Sequence, residues 1–159
     1  MIKTLKVLSA LLTYPTTEMQ EAIGEMRDLV CKEGLLTGQL RRALNPLIEE
    51  IGRGELYDLQ ERYVLLFDRT RTLSLHLFEH VHGESRDRGQ AMVDLQNLYE
   101  AKGLASDTSE LPDFIPLFLE FASTLPPAEA WDLLAQPAHI FAALAERLRK
   151  RESAYEAVF

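Results

Sequence analysis

The sequence predicts an all-α protein, a single bundle of about seven or eight helices joined by short connections. Three observations carry that prediction. Apolar residues recur at three- and four-residue spacing along nearly the whole chain. Glycine, proline and threonine punctuate the pattern at intervals suited to helix ends. Only one stretch alternates with period two, and a lone strand has nothing to pair with. No repeat, low-complexity tract or linker divides the chain, so 1–159 reads as one domain.

Ile2, Leu5, Leu8, Leu11 and Leu12 form the first stripe, which Pro15 stops. Thr17 and Gln20 have capping-box spacing ahead of a second helix. Its apolar face is Met19, Ala22, Ile23, Met26, Leu29 and Val30, and Gly34 is its natural end. Thr37 is placed to cap a third helix, with Leu40, Leu44, Leu47, Ile48 and Ile51, terminated by Gly52 and Gly54. A fourth bears Leu56, Leu59, Tyr63, Leu66 and Phe67.

After Asp68 the rhythm changes. Leu73, Leu75 and Leu77 alternate as in a strand, yet without a partner strand an extended loop and short helix are expected. Ser85 is placed to cap the next helix, whose stripe is Met92, Leu95, Leu98 and Tyr99 and whose end is Gly103. A polar loop over 104–110 leads to Leu111-Pro112-Asp113 and a helix with Phe114, Leu117, Phe118 and Phe121. Pro116 is tolerated there because a first-turn residue has no intrahelical N–H bond to lose. Pro126-Pro127 open a short helix containing Trp131, and Pro137 opens the last, with Ile140, Phe141, Leu144 and Leu148.

Composition narrows the function. With 25 acidic against 17 basic side chains the net charge is −8. That disfavours nucleic acid, whose phosphates need Lys and Arg, and favours a partner that is basic where it docks. Residues 146–159 hold four basic and three acidic groups, so the acidity belongs to the body of the bundle. The single cysteine, Cys31, excludes an internal disulfide or a cysteine-based metal site and points to a reducing cytoplasm. The longest apolar run, 140–145, is far short of the ~20 residues that span a bilayer. The N-terminus reads as a first helix, because Ser9 interrupts its apolar stretch and no small-residue cleavage site follows.

The sharpest motif is His76-Leu-Phe-Glu79-His80, the inverted zincin pattern, in which two histidines on a helix hold zinc and the glutamate activates water. A zinc hydrolase is therefore one alternative, but no third ligand is selected by the sequence. The other reading is that these histidines hydrogen-bond within a folded loop. Segment 67–90 also concentrates Phe67, Asp68, Arg69, Arg71, Phe78, Glu79, His82, Glu84, Arg86, Asp87 and Arg88 between two regular helices. Such a segment suits ligand contact, loop pinning, or both.

Three blocks carry a family resemblance: 63–69 (Tyr-Val-Leu-Leu-Phe-Asp-Arg), 74–92 and 110–120, with Val7-Leu-Ser-Ala-Leu-Leu-Thr-Tyr-Pro15 in keeping. Together they resemble the NarJ family, cytoplasmic chaperones for assembly of the molybdenum cofactor-containing nitrate reductase, related to TorD and DmsD. The resemblance implies an all-helical, non-enzymatic protein without a cofactor of its own. Its partner would be the N-terminal, leader-like segment of the reductase catalytic (alpha) subunit, held until the cofactor is loaded. It also implies no zinc chemistry for the 76–80 motif. The related chaperones' E-x-P-D-H motif matches Glu110 to Asp113, but Phe114 stands where its histidine would be, so only Asp113 carries over. Family members usually continue for some tens of residues past the equivalent of Phe159, so a C-terminal extension is expected.

On this reading Tyr63, Phe67, Leu75, Phe78 and Leu117 supply apolar contact with the peptide. Asp68, Glu79, Glu84 and Asp113 supply charge, with Arg69, Arg86 and Arg88 in the same segment. His76, His80 and His82 make the grip pH-sensitive. A basic amphipathic leader would lay its apolar face in an interhelical groove while rim carboxylates steer its arginines. A helical adaptor for an unrelated client is a third reading. The expected state is a monomer or domain-swapped dimer, with no nucleic acid and no membrane insertion.

Overall fold

The computed structural model describes residues 1–81, 86–104 and 109–159. Among them are eight α-helices: α1 (Lys3–Leu11), α2 (Thr17–Glu33), α3 (Gly38–Arg53), α4 (Leu56–Tyr63), α5 (Arg86–Ala101), α6 (Ile115–Ser123), α7 (Pro127–Ala135) and α8 (Ala138–Lys150). A π-helical turn, Val64–Asp68, continues α4, and short 3-10 turns occupy Arg71–Leu73, Leu77–His80 and Ala154–Val158. The all-α expectation holds. No described helix is long and apolar enough to cross a membrane.

The helix ends follow local chemistry. Thr37 Oγ1 accepts from the Leu40 amide, and Gly34 closes α2 at φ 67°, a left-handed conformation that glycine adopts without a Cβ penalty. Two expectations are corrected. The cap of α2 is Thr16, whose Oγ1 accepts from the Met19 amide; Gln20 instead donates to the Ile51 and Gly54 carbonyls. Gly52 lies inside α3, where Ile23 of α2 packs so closely that a Cβ would stand 3.0 Å from its Cγ2.

Gly54 alone ends α3, in an extended conformation open to any residue. Space, not torsion, demands glycine there: a Cβ would lie 2.6 Å from the Glu50 carbonyl and 2.9 Å from Leu59 Cδ2. Gly54→Ala is therefore expected to cost about 2 kcal/mol, seen as a lower urea midpoint with an unchanged slope.

The core lies where α1 packs on α6, α2 on α3, and the C-terminal turn on α3 and α8. Edge-to-face rings run through it from Tyr14 to Tyr63, Phe67 and Tyr155. The Tyr63 hydroxyl donates to the Leu12 carbonyl at 2.8 Å, and burial pushes its pKa up, keeping it a donor. On the neighbouring side Tyr99 donates to the Pro112 carbonyl at 2.7 Å and stacks on Phe121, tying α5 to the segment that enters α6.

Candidate functional site: a pinned turn beside an apolar groove

The alternating leucines are buried as a strand's would be, and the partner is the segment just before α6. A single antiparallel bridge joins His76 to Phe114, the Leu77 amide donates to the Asp113 carbonyl at 3.0 Å, and the Ile115 amide donates to the Leu75 carbonyl at 2.7 Å. Leu73, Leu75 and Leu77 all enter the core. The short stretch then winds into the Leu77–His80 turn.

Asp113 anchors that turn. Its side chain is 0% exposed, and one carboxylate oxygen accepts from the Phe78 amide at 3.0 Å while the other lies 3.4 Å from His76 Nδ1. His80 Nε2 donates to the Ser74 carbonyl at 2.8 Å, and Ser74 Oγ accepts from the His76 amide at 3.2 Å. Glu79 pairs with Arg88 of α5 at 3.7 Å. The helical frame that a zincin motif requires is therefore missing. His76 precedes a 3-10 turn, whose tighter winding does not stack positions four apart, and both rings face local partners. This is the loop-pinning alternative.

The hydrogen bond to Asp113 raises the pKa of His76 above its ordinary 6.5; burial opposes the shift, and Glu79 and Glu110 add to it. A raised folded-state pKa means that the stabilisation is complete below 6.5 and fades as pH rises through the folded value. The advantage of the native protein over His76→Gln, measured as urea midpoints, should thus be larger at about pH 5.5 than at about pH 8.5. An equal gap at both would unlink His76 from stability.

The pinned turn forms one wall of a groove of about 440 Å³. Its floor is Leu77, Leu95, Phe118, Leu133 and Ile140, all buried, from the turn and helices α5 to α8. Val81, 54% exposed, and Leu98, 37% exposed, stand on its lips with the half-buried Phe78 and Ala91, and buried Pro137 lies below. Among the described residues its polar groups are Asp94 on α5, Gln136 and His139, all at the rim. An apolar trough with a few polar groups around it fits one face of an amphipathic helix.

The residues expected to touch a ligand divide clearly. Phe78 lines the groove. Tyr63, Phe67, Leu75 and Leu117 are buried in the core and do not line it. His76, Glu79, His80, Arg88 and Asp113 build the wall from behind through the bonds above. Asp68 and Arg69 are exposed at the end of the π turn, where Arg69 borders a separate small hollow with Tyr14 and Tyr57, and Arg86 is exposed at the start of α5. His82 and Glu84, with the Ser85 cap, lie outside the described residues. Sequence reasoning missed Val81, Asp94, Leu95, Leu98, Leu133, His139 and Ile140 as groove residues. Leu95 and Leu98 were visible as a stripe, but a stripe facing a groove reads like one facing a helix.

Residues 32–159 match the family model described as "Nitrate reductase delta subunit". The chain is 44% identical over 155 residues to the nitrate reductase molybdenum cofactor assembly chaperone NarJ of Escherichia coli K12, covering 98% of this chain and 66% of that protein. It thus spans about two thirds of that relative's length. A Bacillus subtilis protein named "Probable nitrate reductase molybdenum cofactor assembly chaperone NarJ" is 32% identical over 152 residues, with 96% of this chain and 82% of that one covered. A solved structure from Archaeoglobus fulgidus, described as a candidate redox enzyme maturation protein, superposes with a TM-score of 0.68. The match covers 98% of this chain and 87% of the other at 22% identity, so the two share a fold.

Proposed function

The chain belongs to the nitrate reductase delta subunit family, and from that premise we propose that it is a cytoplasmic assembly chaperone for a nitrate reductase. It binds the N-terminal, leader-like segment of the catalytic subunit and holds it while the molybdenum cofactor is inserted, without catalysing a reaction itself. The observation that carries this reading is the apolar groove walled by the pinned turn at 76–81, within the blocks that resemble the NarJ family. The names of the relatives support the nitrate reductase client; the groove supports an amphipathic segment as the part gripped.

The physics suits a holding role. Folding a leader onto the groove costs about 2–5 kcal/mol of the gross interaction energy, which leaves a moderate affinity and permits release. The acidic body, with Asp94 on the rim, draws in the arginines of the leader. Calorimetric titration of the reductase subunit's synthetic N-terminal peptide should give saturable binding. Asp94→Lys should weaken it roughly fivefold and flatten its salt dependence. Absence of binding at about millimolar peptide would overturn the proposal.

A further inference from the structure

The outer face of α4 and of the π turn that continues it carries a stripe at four-residue spacing: Tyr57, Glu61, Leu65 and Arg69. On an α-helix each such step advances slightly more than one turn; the wider winding of the π turn takes that advance back and returns Arg69 to the stripe. All four residues line one hollow of about 280 Å³, which shares no residue with the apolar groove. Three large apolar side chains stand exposed around it: Tyr57 at 70%, Leu65 at 49% and Tyr14 at 47%. Their frame is fixed. Gln60 Nε2 donates to the Pro15 carbonyl at 2.9 Å, and Tyr14 meets Tyr63 edge-on at 5.8 Å. Thr70 Oγ1 donates to the Leu65 carbonyl at 2.7 Å, which closes the turn behind Leu65.

The placement of charge singles this face out. Glu61 and Arg69 are both exposed, and among the described residues neither is in an ion pair. Asp68, exposed beside Arg69, does not line the hollow. Eight residues separate Glu61 from Arg69, about 12 Å along a helix, too far for them to neutralise each other. Leu65 lies midway, four residues from each. A stripe that runs acid, leucine, base, with its charges equidistant from the leucine, is complementary to itself when turned end for end. A two-fold axis through Leu65 brings Arg69 of a second copy opposite Glu61, and its Glu61 opposite Arg69. A partner carrying a single sign of charge would satisfy one of these groups and repel the other.

We propose that this face pairs two copies of the chain, antiparallel across α4 and the π turn. Leu65 meets Leu65 at the two-fold axis, a Glu61–Arg69 pair flanks it on either side, and Tyr14 and Tyr57 extend the apolar contact. No element is exchanged between the copies. The face is small, so the dimer is weak, dissociating at about 10–100 μM.

Sedimentation at rising protein concentration tests this by charge exchange. The native protein should dimerise reversibly, and less well in high salt. Glu61→Arg and Arg69→Glu should each weaken dimerisation at least about tenfold, because each leaves two like-charged contacts. Mixed in equal amounts these two variants should associate again, since every charged contact between them is of opposite sign. The double variant E61R/R69E should dimerise like the native chain. Cross-linking gives an independent readout. In a Cys31→Ser background Leu65→Cys should form an intermolecular disulfide under mild oxidation, and Glu25→Cys, exposed on α2, should not. A monomer up to about 1 mM, dimerisation unchanged by the single reversals, or no association in the mixture would overturn the proposal. If the reversal variants do not fold, absence of the Leu65→Cys cross-link would do the same.

Discussion

Asp113→Ala is expected to cost about 3 kcal/mol, a large share of the ~5–15 kcal/mol that holds a domain together. The carboxylate is wholly buried, and its loss strands the Phe78 amide and the His76 ring at once. Asp113→Asn keeps an acceptor for the amide but removes the charge, so it should fall between the two. In Asp113→Asn the pH dependence attributed to His76 should largely vanish, because its principal cause is gone. Combining it with His76→Gln should therefore cost less than the sum of the two single changes. Urea unfolding of the four proteins checks this. Additive losses would mean that the contact at 3.4 Å carries no energy.

The second large effect falls on binding and leaves the fold intact. Leu98 stands on the lip of the groove, 37% exposed, so Leu98→Asp should change stability by no more than about 0.5 kcal/mol. A carboxylate placed where an apolar helix face must dock should cost about 2 kcal/mol of binding, roughly a 30-fold weaker affinity for the leader peptide. Calorimetry alongside thermal melting separates the two readouts. Unaltered affinity in a stable Leu98→Asp protein would move the peptide away from the α5 lip.

Much of the fold was legible because its determinants are local. Gly34, Thr37 and the proline pair at 126–127 mark helix ends by their own backbone preferences, and Pro116 falls in the first turn of α6, where it does least harm. Where two adjacent residues compete, as Thr16 and Thr17 do for the cap of α2, the choice is made by entry geometry that a sequence does not display. Gly52 looked like a terminator, but its lack of a side chain serves the approach of α2 to α3. The π turn after Tyr63 was invisible because it fits Phe67 between Tyr63 and Tyr155, a demand set from another part of the chain.

The site was legible in part for a related reason. The 76–80 block was singled out by its chemistry and Asp113 by the family resemblance, and the structure brings them together; their observed work is to hold the groove wall. Tyr63, Phe67, Leu75 and Leu117 belong to the same blocks, yet they pack inward, because a block shared for folding looks like one shared for binding. The groove floor depends on which face each of four helices turns outward. That is a tertiary fact, so Leu95 and Ile140 read simply as core and Leu133 was not singled out.

The central claim is that the groove bordered by the 76–81 turn and α5 is where the client's N-terminal segment docks. Amide and methyl chemical shifts, followed while the reductase's leader peptide is titrated into labelled protein, test it most directly. The expected result is perturbation concentrated at Val81, Leu95, Leu98, Leu133 and Ile140, with α2 and α3, which line no part of the groove, unmoved. Perturbation centred on α2 and α3, or none at saturating peptide, would contradict it.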